Sequence, residues 1–223
     1  MNGIISPSPN SFPTLYPTAI PFQYYSLTPR PTSQIESIAL VAVEDTFIWE
    51  GEMLQQTFGK EVYLKVQRRG TNGSNSISLI RFDTPPLIEL GATVVSTQLR
   101  LFARTISLFG GQINLASDDC EWNENATSWQ NAPRCIIEPV TNTTGLVEET
   151  NVLGMFGEVL VQNEWYEADL AWQPIKIPSQ LTLIISSELG NGLTYFSRDA
   201  NDDSGSRAPM LVVEYFTHDS KLT

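Results

Sequence analysis

Short apolar runs alternate with turn-forming residues between Ser37 and Phe216, and this pattern predicts β-strands. Each run is rich in Val, Ile, Leu, Phe or Tyr and is bounded by Gly, Pro, Asn or Asp. The predicted strands are Ser37–Val43, Thr46–Trp49, Glu61–Gln67, Ile77–Phe82, Thr93–Ala103, Gln112–Ala116, Glu158–Val161, Leu181–Ser186, Leu193–Ser197 and Pro209–Phe216. About ten short strands with turns between them predict an all-β fold, a jelly-roll β-sandwich.

Helical periodicity is weak throughout. No window of about twelve residues shows a sustained 3.6-residue period, although Leu146–Gly154 is compatible with a short helix. The segments Gly70-Thr-Asn-Gly73 and Gly190-Asn-Gly192 are typical of hairpin turns.

The first 36 residues differ from the rest and are predicted to form an extended, Pro-rich arm. From Met1 to Pro29 there is no Asp, Glu, Lys or Arg, and seven of the fourteen prolines lie between Pro7 and Pro31. Proline disfavours helices and central strands, and large apolar side chains are costly to leave in water. These side chains are Phe12, Leu15, Tyr16, Ile20, Phe22, Tyr24, Tyr25 and Leu27. The predicted organisation is therefore an arm (1–36) that docks on its own domain or on a neighbouring copy, a sandwich (37–217) and a tail (218–223).

The charge balance restricts the partners. The net charge is −12, and the sequence pI is about 4.4. Nucleic acids and anionic membranes would repel such a chain, and no run of 18 apolar residues predicts membrane insertion. Cations and neutral glycans remain compatible partners.

Two features favour an extracellular or cell-surface location. Cys120 and Cys135 flank a polar loop, and a disulfide between them is predicted, with two buried free thiols as the alternative. Asn72, Asn125 and Asn142 each begin an N-glycosylation triplet in a predicted loop, so covalent glycans are expected there.

An ordered series of motifs resembles the disaggregatase-related (DNRLRE) domain family. The motifs are Asp45-Thr-Phe-Ile48, Phe58-Gly59, Leu79-Ile-Arg-Phe-Asp83, Thr97-Gln-Leu-Arg-Leu-Phe102, Trp122 with Ala126-Thr-Ser-Trp-Gln-Asn-Ala-Pro133, Trp165-Tyr-Glu-Ala-Asp169, Tyr195-Phe-Ser-Arg-Asp199 and Ala208-Pro-Met-Leu-Val-Val-Glu-Tyr215. Asp199 departs from the family, which usually has Glu there. The resemblance implies a jelly-roll sandwich of carbohydrate-binding-module type on extracellular or cell-wall proteins. It does not imply catalysis.

The residues themselves give little support to an enzymatic reaction. The single histidine, His218, follows the last predicted strand, so no Ser-His-Asp or Cys-His arrangement is indicated. The sequence also has no zinc-type Cys/His cluster and no phosphate-binding Gly-rich loop. We therefore predict no catalytic residues.

Two groups of residues are candidates for binding. Asp199, Asn201 and Asp203 offer alternating oxygen ligands before a glycine, which suits Ca²⁺; the alternative is a solvated acidic turn. Indole rings can stack on sugar rings, so possible glycan contacts are Trp49, Trp122, Trp165 and Trp172; the alternative is that these rings are core or loop anchors, as we expect for Trp129.

Two functions from different classes follow. In the first, the chain is a non-catalytic structural subunit that self-assembles into a fibre or surface matrix through its arm, which docks on a neighbouring sandwich. In the second, it is a free-standing carbohydrate-binding module for cell-wall or matrix polysaccharide. The family resemblance favours the second function. The residues favour the first narrowly, because the arm is apolar and no site for chemistry is evident.

Overall fold

The computed structural model describes residues 34–68, 74–117, 119–141, 152–174, 176–187, 192–200 and 207–217. The strands are β1 (Glu36–Val41), β2 (Glu44–Trp49), β3 (Tyr63–Val66), β4 (Ser76–Asp83), β5 (Ala92–Phe102), β6 (Gly111–Leu115), β7 (Val152–Phe156), β8 (Trp165–Leu170), β9 (Gln180–Ser186), β10 (Leu193–Phe196) and β11 (Met210–Thr217), and the helices are α1 (Pro85–Glu89) and α2 (Arg134–Thr141). The predicted all-β sandwich is confirmed. Residues 1–33 of the predicted arm, with its eight large apolar side chains, and the C-terminal tail lie outside the described residues.

Two antiparallel sheets form the sandwich. The four-stranded sheet has the order β1-β11-β5-β8, and the five-stranded sheet has the order β2-β4-β9-β6-β7. Most neighbours in each sheet are far apart along the chain, because successive strands cross from one sheet to the other, as in a jelly roll. A small third sheet pairs β3 with β10.

Apolar side chains are buried in two layers. The main core lies between the sheets, where Phe82 and Ile80 of β4 meet Leu99 and Leu211 of the opposite sheet. A second cluster on the other face of the five-stranded sheet combines Ile48, Ile77, Leu79 and Ile184 with Trp122 of the loop after β6 and Ile136 of α2. Because both faces of β4 are covered, this strand is buried at nearly every position, and its apolar side chains are divided between the two layers.

The short helix considered at Leu146–Gly154 is absent from the described part of that segment. Residues 152–154 belong instead to strand β7 (Val152–Phe156). Glycine is required at position 154 of this strand, since a Cβ there would lie 2.4 Å from the carbonyl oxygen of Asp169 on β8. The predicted strand Glu158–Val161 forms only an isolated bridge, from Val159 to Ser107.

Both short helices escaped prediction, because five or eight residues are too few to establish a helical period. Helix α1 begins with Pro85 and Pro86, where proline is tolerated because backbone N–H groups of the first turn have no acceptor within the helix. Helix α2 begins at Arg134, at the end of the loop that Cys120 and Cys135 close. No described helix is long and apolar enough to cross a bilayer.

Candidate functional site

Strands β3 and β10 divide their side chains between the core and the outer surface. The two strands pair from Leu193 opposite Val66 to Phe196 opposite Tyr63. Because side chains alternate along a strand, one face of this pair is buried and the other is half-buried. The buried residues are Leu64, Val66, Leu193 and Tyr195. The half-buried residues are Tyr63, Lys65, Thr194 and Phe196. The hydroxyl of Tyr195 donates to the carbonyl oxygen of Gly110 at 2.7 Å, which anchors β10 in the core.

The outward residues join an aromatic row that crosses four strands. A bridge between Ala103 and Tyr195 places β10 beside the end of β5. The ring centroids of Phe196 and Phe102 are 5.8 Å apart, and those of Phe102 and Trp165 are 5.2 Å apart. We call Tyr63, Phe196, Phe102 and Trp165 the aromatic row. Four strands at their usual spacing give the row a length of about 15 Å.

An arginine lies over every ring of the aromatic row. The Cζ atom of Arg104 is 4.9 Å from the centroid of Tyr63, and that of Arg100 is 5.3 Å from the centroid of Trp165. Arg207 lies over the two central rings, with its Cζ atom 4.8 Å from the centroid of Phe196 and 5.1 Å from that of Phe102. Arg100 also forms an ion pair with Glu167 at 2.7 Å. Three guanidinium groups therefore collect on one surface of a chain whose net charge is −12.

Trp49 extends this surface beyond Tyr63. The buried ring of Phe47 stacks on Phe58 at 4.2 Å and on Tyr63 at 5.4 Å, and Trp49 lies 6.3 Å from Phe58. The Nζ atom of Lys65 is 3.4 Å from the centroid of the Trp49 ring. Trp49 therefore has a cationic side chain over its ring, as each ring of the aromatic row does.

The tryptophans predicted as glycan contacts fall into two groups. Trp49 and Trp165 are half-buried at the surface just described. Trp122 is only 7% exposed and donates its indole N–H to Thr182, and Trp172 is 4% exposed in the main core. We therefore remove Trp122 and Trp172 from the candidate contacts, because packing covers their rings. Trp129 packs on the second core cluster, as a loop anchor does.

A buried polar cluster holds the end of β10 next to the row. The carboxylate of Asp45, 1% exposed, accepts the backbone N–H of Arg198 at 2.7 Å. The guanidinium of Arg198 donates to both carboxylate oxygens of Glu124, at 3.2 and 2.7 Å. One of those oxygens also accepts the backbone N–H of Asp45 at 3.3 Å. We call these three residues the Arg198 clamp.

Burial changes the acid–base behaviour of the clamp. Desolvation is the largest cause that raises the pKa of Asp45, from 3.8 to about 7, and the nearby Asp199 adds to it. Burial alone would lower the pKa of Arg198, but its bonds and charge pairing with Glu124 outweigh this effect and raise it. Arg198 therefore stays charged, whereas Asp45 is neutral in acid and ionised in mild base.

The structure joins Cys120 and Cys135 in the predicted disulfide, with Cα atoms 5.9 Å apart. The glycosylation triplets at Asn72 and Asn142 lie outside the described residues. Asn125 is exposed, but the hydroxyl of Thr127 in its triplet is buried and accepts a backbone hydrogen bond. Glycosylation thus stays a prediction.

The calcium site also stays a prediction. Asn201 and Asp203 lie outside the described residues, and Asp199 is half-buried, with its backbone N–H donated to Ser197. Within the described ranges, no three His, Cys, Asp or Glu residues are grouped to hold a metal ion.

Sequence reasoning found only one member of the aromatic row, Trp165. It missed Tyr63, Phe102 and Phe196, together with the arginines above them. The alternation within β5 places Phe102 on the outward face, but the order of strands that brings it to Phe196 is not visible along the chain.

Comparison with known proteins gives one finding on the family. The model of carbohydrate-binding module family 96 matches residues 36–215, from the first residue of β1 into β11. The carbohydrate-binding-module character implied by the sequence motifs is thereby confirmed, whereas the disaggregatase-related name is not. A search among curated proteins found no match.

Proposed function

Because the chain belongs to carbohydrate-binding module family 96, we propose that it binds polysaccharide through the aromatic row. The observation that carries this proposal is the set of four rings on adjacent strands, each with an arginine within 5.3 Å of its centroid. A row of this kind suits a linear polymer better than a single sugar, because successive rings can contact successive units.

The chemistry of the row supports contact with sugars. Pyranose rings present C–H faces that pack on aromatic rings, and such contacts gain from the apolar area and from the quadrupole of the ring. The guanidinium groups add donors that bind carboxylate or sulfate in a charge-assisted manner. We therefore expect the polymer to carry acidic groups, although a chain of net charge −12 repels polyanions elsewhere on its surface.

The proposed setting is extracellular. Carbohydrate-binding modules commonly act outside the cell and are typically non-catalytic. The disulfide between Cys120 and Cys135 agrees with an oxidising compartment. The absence of an enzymatic activity stays a prediction, as does self-assembly through the arm, which no described residue favours.

Binding assays with a panel of neutral and carboxylated polysaccharides test the proposal. We expect Trp165→Ala to weaken binding about tenfold, since removal of an aromatic anchor typically costs more than 1 kcal/mol. Trp129→Ala is the matched control, because it removes an indole from the second core cluster. A wild-type chain that binds no member of the panel, or a Trp165→Ala variant of unchanged affinity, would contradict the proposal.

The charge of the polymer is tested separately. We expect Arg207→Gln to weaken binding of a carboxylated polymer more than Arg134→Gln does, because Arg134 begins helix α2 and lies over none of the four rings. Binding that is carried by guanidinium groups should also weaken as salt is raised. Equal affinity for neutral and acidic polymers at low salt would show that the arginines do not select the charge.

A further inference from the structure

We propose that Glu124 is a positioning residue for the aromatic row: its paired bonds to Arg198 fix the end of β10 and hence the rings of Phe196 and Tyr63. This inference rests on the proposed function. Glu124 belongs to the loop closed by the disulfide and lies outside the row, so its effect on binding would be indirect.

The connection between the clamp and the row is one short peptide. Phe196 is followed directly by Ser197 and Arg198. The backbone N–H of Ser197 donates to Val62 at 3.2 Å, and its hydroxyl donates to Glu61 at 2.6 Å. These two acceptors immediately precede Tyr63. A displacement of Arg198 therefore reaches both paired rings through covalent and hydrogen bonds.

The bonds of Glu124 restrict Arg198 in two directions. A guanidinium that meets both oxygens of one carboxylate is held in a plane, which a single hydrogen bond does not achieve. Glu124 is 8% exposed, so water cannot readily replace the lost bonds when its charge is removed. The backbone hydrogen bond from Arg198 to Asp45 holds the main chain, but it does not fix the orientation of the Arg198 guanidinium plane.

The loop that carries Glu124 is itself held firmly. The disulfide closes it, and Gly59 packs so closely that a Cβ there would lie 2.0 Å from the carbonyl oxygen of Glu124. The geometry thus makes the disulfide loop a remote support for the row. Loss of that support should alter the ring positions while the sandwich remains folded.

Affinity for the polysaccharide identified in the binding panel gives the first test. We expect Glu124→Gln to weaken binding about tenfold in protein shown to be folded by circular dichroism. Glu44→Gln is the matched control, because it breaks an Arg–Glu pair, Arg81 with Glu44, and leaves the bonds between Glu124 and Arg198 in place. If Glu124→Gln binds as tightly as Glu44→Gln, the positioning role is wrong.

A double-mutant cycle separates positioning from general loss of stability. If Glu124 and Arg198 act as one unit, Glu124→Gln, Arg198→Gln and the double variant should weaken binding by the same factor. Additive effects would overturn the proposal. Should either variant fold poorly, Arg198→Lys replaces it, since lysine keeps the charge but cannot form the paired bonds.

The ring resonances of Phe196 and Tyr63, followed by nuclear magnetic resonance without ligand, give a readout that does not need polysaccharide. We expect them to shift in Glu124→Gln and to stay in place in Glu44→Gln. Unshifted resonances would refute the positioning role even if binding occurs. If the resonances shift in Glu124→Gln but the wild-type chain binds no polysaccharide, the proposed function alone is refuted.

Discussion

Replacement of Asp45 by Asn should make the protein more stable above pH 7. Asp45 is almost fully buried, and its carboxylate accepts one hydrogen bond from the backbone of Arg198. Asparagine keeps an oxygen for this bond and has no charge to bury. The variant thus removes the ionisation and leaves the hydrogen bond.

The size and sign of the effect follow from the pKa of Asp45. Burial raises this pKa from 3.8 in the unfolded chain to about 7 in the folded one. Below pH 3.8 both states are protonated, and the stabilisation is fully present. As the pH rises to 7, only the unfolded chain releases the proton, so the free energy of unfolding falls by about 1.4 kcal/mol per pH unit. The total loss is about 4 kcal/mol, and it is complete above pH 7.

Urea denaturation at a series of pH values measures this effect. The free energy of unfolding of Asp45→Asn minus that of the wild type should rise by about 4 kcal/mol between pH 3.5 and 8. Asp83→Asn is the control, because it removes an exposed carboxylate and the same unit of net charge. A difference that does not change with pH would show that folding leaves the pKa of Asp45 unchanged, and one that falls as pH rises would show that folding lowers it; either result would refute the account of its burial.

Two further predictions concern the support of the disulfide loop. Gly59→Ala should lower the free energy of unfolding, measured by urea denaturation, by about 2 kcal/mol or more, since its Cβ would meet the carbonyl oxygen of Glu124 at 2.0 Å. Gly157→Ala is the control, because open space surrounds the added Cβ, and its free energy of unfolding should change little. Reduction of the disulfide between Cys120 and Cys135 should lower the free energy of unfolding by about 3 kcal/mol. Equal stability of oxidised and reduced protein would contradict this second prediction.

The sequence by itself was sufficient for the class of fold. Period-two alternation and the spacing of turn residues are local properties, and they predicted β2, β5, β9 and β11 close to their observed bounds. The prediction failed at β7, where Gly154 allows the backbone to approach Asp169 of another strand. That approach is a tertiary contact, and nothing in the neighbouring residues indicates it.

The burial of the tryptophans was decided by tertiary structure. In the sequence Trp122 and Trp165 are equivalent candidates, since both lie among polar residues. In the fold, the disulfide loop carries Trp122 over the second core cluster, whereas Trp165 lies at the outer end of β8. The period of a strand tells which side of the strand a residue occupies, but it does not tell whether another segment covers that side.

The aromatic row shows the same limit at the site. Tyr63, Phe196, Phe102 and Trp165 come from four strands that are distant along the chain. Each residue type and each strand can be read locally, but the neighbours of a strand depend on which arrangement of sheets buries the most apolar area. The sequence therefore determined the all-β class, and its motifs implied a carbohydrate-binding module even though the apolar arm favoured a structural subunit. The order of strands, which only the packed core selects, determined where rings and arginines meet.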